Sequence, residues 1–66
     1  MNARELGDIL IKAFEECSLE EIVMYQENGT IDDFLKIKVG EEKHREISKA
    51  EPLVWMEAIR TLYLSK

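Results

Sequence analysis

The sequence predicts a small α+β domain: an N-terminal helix, a three-stranded antiparallel meander and a C-terminal helix. Three observations predict it. Apolar residues recur at spacings of three and four near both ends of the chain, the period of an amphipathic helix. Between those ends, "FLKIKV" alternates apolar with charged residues, the period of a half-buried strand. Glycines at 29 and 40 then divide the middle into three short pieces, as hairpin turns would.

The first helix is expected over Ala3–Cys17. Leu6, Ile9, Leu10, Ala13, Phe14 and Cys17 fall on one face. Asn2 can cap the start, and Glu5, three residues on, completes a capping box. The first strand is "EIVMYQ", rich in β-branched and aromatic residues and followed by the turn "ENGT". In the second strand Leu35, Ile37 and Val39 share one face, with Lys36 and Lys38 on the other. Gly40 and "EEK" make the next turn, and "HREIS" is a polar edge strand. Pro52 suits the first turn of a last helix over Pro52–Leu64. Its stripe of Trp55, Met56, Ile59, Leu62 and Tyr63 is core-facing. Phe14 and Trp55 are the largest expected core side chains.

A competing reading is all-α with a helix-turn-helix-like middle. Ser18 with Glu21 forms a second capping box, giving a helix over 19–27 that ends near Gly29. Thr30 with Asp33 offers a third box and a short helix over 31–38. The alternation from Leu35 to Val39 and the Val, Ile and Tyr content favour strands.

Sixty-six residues make a single domain, residues 1–66. A core this size supplies about 3–5 kcal/mol unless stapled. One cysteine, Cys17, excludes an intrachain disulfide, and one Cys with one His cannot complete a zinc site. Self-association is the staple left. The start, "MNARELGDIL", lacks the apolar run of a signal peptide. No apolar stretch approaches the ~20 residues that span a bilayer. A cytoplasmic protein is expected, with no membrane role, and "NGT" at Asn28 reads as a turn.

Net charge is −5 and unevenly placed. Residues 1–33 carry nine acids against Arg4 and Lys12, and residues 34–66 carry five acids against seven bases. "EECSLEEIVMYQENGTIDD" alone holds seven carboxylates and no Lys or Arg. Such a surface repels phosphate backbones, so no direct nucleic-acid binding is expected.

Chemistry finds little support. Cys17 lies on the apolar stripe, where cysteine acts as a small hydrophobe. His44 sits in the charged run "EEKHRE" and reads as solvated. Adjacent acid pairs point in different directions and do not make a general acid and base. Glu27, Asp32 and Asp33 read as a solvated acidic turn in preference to a weak cation site, and the calcium-loop pattern is missing. No phosphate-binding glycine loop is present. No enzyme, no metal and no cofactor is therefore expected.

A small acidic non-enzymatic binding module or inhibitor is expected instead. Its partner is a protein with a basic surface, and mimicry of nucleic-acid charge is one version of that. On the strand reading, Glu21, Val23, Tyr25 and Glu27 share the outward face. With Glu20, Asp32 and Asp33 they form the expected partner surface, an aromatic anchor among carboxylates. The alternatives are a helix-turn-helix DNA-binding regulator using residues 18–37 and a structural homodimer. Against the regulator, "TIDDFLKI" opens with two aspartates where base and phosphate contacts need Lys, Arg, Asn or Gln.

Overall fold

A computed structural model describes residues Met1–Lys66. It overturns the α+β prediction: 76% of the residues are helical and no strand or sheet is present. The elements are α1 (Ala3–Ala13), α2 (Leu19–Glu27), α3 (Ile31–Val39), α4 (Glu41–Ser48) and α5 (Pro52–Leu64). All three expected strands are helices.

The reasons are local. Ser18 is extended, its Oγ accepts from the Glu21 N–H at 3.2 Å, and Glu21 Oε1 accepts from the Ser18 N–H at 3.0 Å. That reciprocal cap satisfies two donors at the start of α2 and outweighs the β preference of Val23 and Tyr25. The alternation in "FLKIKV" is a coincidence of two periods. Leu35 is buried and Val39, four residues on, is half-buried on the same helical face. Ile37 is 81% exposed, although a strand would have buried it beside them. The third box does not form, since Thr30 makes no side-chain cap. Gly40, at φ 90°, ends α3 and begins α4 in one residue, a backbone state that side chains with a Cβ resist.

The end helices lie closer to expectation. Asn2 and Glu5 form the expected capping box, but α1 stops at Ala13 with Phe14 as its C-cap, short of Cys17. α5 spans the expected residues with Pro52 in its first turn, but Met56, expected in the core-facing stripe, is 66% exposed.

Packing centres on α1 and α5, which lie side by side. Gly7 sits against Ala58 and Thr61. One and a half to two turns on, the Lys66 ammonium donates to the Phe14 carbonyl at 2.7 Å. Corresponding positions thus advance together, and the two helices run in the same direction. α3 packs on α1 and touches α2 and α4. The core comprises Leu6, Leu10, Phe14, Ile22, Leu35, Ile47, Ala58 and Leu62, so every helix contributes at least one side chain. Trp55 is half-buried, and its indole N–H donates to the Ile47 carbonyl at 3.1 Å, tying α5 to α4. The Tyr63 hydroxyl donates to Gln26 Oε1, tying α5 to α2. No helix is long and apolar enough to cross a membrane.

Candidate functional site

Because residues 19–27 are helical, the expected partner residues divide between two sides of α2. Successive residues turn by about 100°, so Glu20, Val23, Met24 and Glu27 form one stripe at i, i+3, i+4 and i+7. Glu20, Met24 and Glu27 are exposed and Val23 is half-buried. Met24 is 56% exposed, and its thioether chain can adapt to an irregular partner. A strand would instead turn Met24 to the same side as Ile22, away from Val23 and Tyr25. The i, i+3, i+4, i+7 spacing was the signal that would have placed it outside.

Glu21 and Tyr25 face elsewhere. The Glu21 carboxylate is held by the Ser18 cap. The Tyr25 ring stacks on Phe34, with centroids 4.7 Å apart, and Phe34 stacks on Phe14 at 5.0 Å. Lys38 Nζ stands 5.5 Å from the Phe34 ring centroid, within cation–π range. Tyr25 thus belongs to an aromatic column that joins α1, α2 and α3. Val23 and Tyr25, two residues apart, point about 200° apart and do not share a face.

Asp32 and Asp33 occupy the first turn of α3, where carboxylates favour the positive end of the helix dipole. Asp32 Oδ1 lies 2.8 Å from His44 Nε2, a link from α3 to α4. The His44 side chain is only 16% exposed, which corrects the solvated reading. Glu27, Asp32 and Asp33 do not converge, and no three His, Cys, Asp or Glu side chains are placed to share a metal ion.

Two depressions flank the aromatic column. One groove of about 580 Å³ is lined by Tyr25, Phe34 and Cys17 and ringed by Lys12, Lys38, Lys43 and three glutamates. A second, about 260 Å³, is lined mainly by apolar side chains, among them Leu10, Phe14, Ile22 and Leu62 of the core. Neither joins a nucleophile to a base. Cys17 opens on the first groove, whereas the His44 ring nitrogen is engaged by Asp32 and lines neither.

On α2 and in the first turn of α3, the carboxylates of Glu20, Glu27 and Asp33 have no cationic partner within the chain. α2 itself carries no Lys or Arg. The stripe is therefore an apolar pair, Val23 and Met24, bracketed by two unpaired carboxylates one above the other along the helix. Comparison with known protein families, with curated proteins and with solved structures gives no match.

Proposed function

We propose that the protein is a non-enzymatic binding module that docks through the outward face of α2. The partner is a protein whose basic surface surrounds a shallow apolar recess. The observation that carries this reading is the placement of Met24 and Val23 between Glu20 and Glu27, with no intramolecular cation for either acid. Apolar contact at the centre of a patch supplies affinity, and charge at its rim supplies orientation and rate. A surface that ordinarily grips a phosphate backbone is one partner of this kind, and inhibition by occupying it follows directly.

The helical middle also brings the DNA-binding alternative forward for comparison. α2 and α3 are joined by three residues, Asn28–Thr30, with Gly29 at φ 71°. α3 would be the recognition helix, yet its first turn presents Asp32 and Asp33, and Lys36 pairs with Glu41 at 3.8 Å. Negative charge at the end that enters the groove opposes binding.

Photocrosslinking from position 24 tests the proposal, with position 49, the exposed residue that caps α4, as control. Position 24 should capture a basic protein that position 49 does not. The Glu20→Gln/Glu27→Gln variant should then associate with it more slowly and with a flatter salt dependence. Equal capture from both positions would remove α2 as the surface. Duplex DNA should bind no tighter than about 10⁻⁴ M at physiological salt. Micromolar binding in an anisotropy titration would put the regulator reading in place of this one.

A further inference from the structure

α5 buries one side and leaves the opposite side open. Leu53 is 71% exposed, Met56 66% and Leu64 76%, far more than an isolated surface leucine needs explaining. Leu53, Glu57, Arg60 and Leu64 follow one another at spacings of four, three and four. That spacing keeps them on a single stripe along the helix. Glu57 and Arg60 are both exposed, and neither has an ion-pair partner within the chain.

The stripe reads the same from either end. Turned about a two-fold axis between residues 58 and 59, it sets Leu53 opposite Leu64 and Glu57 opposite Arg60. A two-fold interface requires this of a surface: where residue i meets j, j must meet i. We infer that α5 pairs with the α5 of a second copy, antiparallel, with a Leu53–Leu64 contact at each end and two Glu57–Arg60 ion pairs at the centre. A parallel pair would set Glu57 against Glu57 and Arg60 against Arg60, so the charges select the antiparallel arrangement.

Two further observations support a second copy as the occupant. The folded chain exposes 4830 Å², about 500 Å² above the roughly 4,300 Å² expected of a monomer of 7.7 kDa. The face itself carries one acid and one base, Glu57 and Arg60, so two molecules of net charge −5 can meet there without adding a like-charge contact. The interface is small. α5 is about 20 Å long, and one helix pair falls below the ~1,200 Å² of standard complexes, in the range of weak, transient association.

Sedimentation velocity between about 1 µM and 1 mM, with circular dichroism to confirm folding, tests this. The wild-type chain should pass from monomer to dimer in that range. Glu57→Arg and Arg60→Glu should each weaken the dimer about tenfold or more, since each turns two attractions into two repulsions. The double exchange should restore wild-type association to within about threefold. Both residues lie outside the core and the chain's ion pairs, so at concentrations where the wild type is monomeric all three variants should melt like it. A wild-type chain that stays monomeric at 1 mM overturns the inference and leaves the face to a different partner. So does a folded double exchange that stays monomeric, or a dimer that survives both single exchanges.

Discussion

Replacing Gly7 with Ala sets helix propensity against the closeness of α1 and α5. Glycine inside a helix is about 0.8–1.0 kcal/mol less favourable than alanine, because more backbone freedom is lost on folding. Gly7 is buried where the two helices meet. A methyl built there would lie 3.4 Å from Thr61 Cγ2, 3.5 Å from Thr61 Cβ and 3.9 Å from the Ala58 Cα. Those distances are contact, not overlap, and the nearest atom is a side-chain methyl that can shift slightly. The propensity gain should therefore survive almost whole, near 1 kcal/mol, against a total margin of about 3–5 kcal/mol. The melting temperature should rise by about 4–8 °C, and urea unfolding followed by circular dichroism should show a higher midpoint with an unchanged slope. Gly7→Leu should go the other way by about 1–3 kcal/mol, since its extra atoms must displace α5. An alanine variant less stable than wild type by more than about 0.5 kcal/mol would refute the spacing from which the sign was derived.

Two other substitutions test the core and the middle of the chain. Phe14 is 1% exposed and stacks on Phe34, so Phe14→Ala should cost about 3–5 kcal/mol and leave the chain largely unfolded at room temperature by circular dichroism. A wild-type melting temperature would show that Phe14 is not central. Ser18→Ala removes the α2 cap and should cost about 1 kcal/mol, with faster amide exchange in the first turn of α2. Unchanged exchange there would mean that the cap does not hold the helix.

The ends of the fold were legible because two signals agreed there. At Asn2–Glu5 a capping box preceded a stripe of helical period, and at Pro52 a helix-starting residue preceded another. In the middle the signals conflicted. Ser18 and Glu21 argued for a helix, while Val23, Tyr25 and the alternation from Leu35 to Val39 argued for strands. A nine-residue helix that buries one side chain, as α2 buries Ile22 and α3 buries Leu35, has too weak a stripe to settle such a conflict by periodicity. The cap was the more specific feature because two hydrogen bonds need two particular residues at one spacing, whereas β propensity depends on surroundings. The same error carried into the partner surface. A period of two joined Val23 to Tyr25, and the observed period of 3.6 joins Val23 to Glu20, Met24 and Glu27. The stacking of Tyr25 on Phe34 depends on how α2 meets α3, which no local pattern encodes.

The side-by-side placement of α1 and α5 has a consequence for how the chain is made. These helices are separated by 38 residues, 14–51, and closing a loop of that length costs roughly 3 kcal/mol in chain entropy. Synthesis delivers α1 first and α5 last. Until Pro52–Leu64 has emerged, Leu6 and Leu10 lack the Ala58 and Leu62 side of their core and can be held only by α2–α4. The nascent chain thus carries an uncovered apolar helix from the emergence of α1 until that of α5, and proteases and chaperones have that interval in which to act on it. Loss of the last turns of α5 would make that interval permanent.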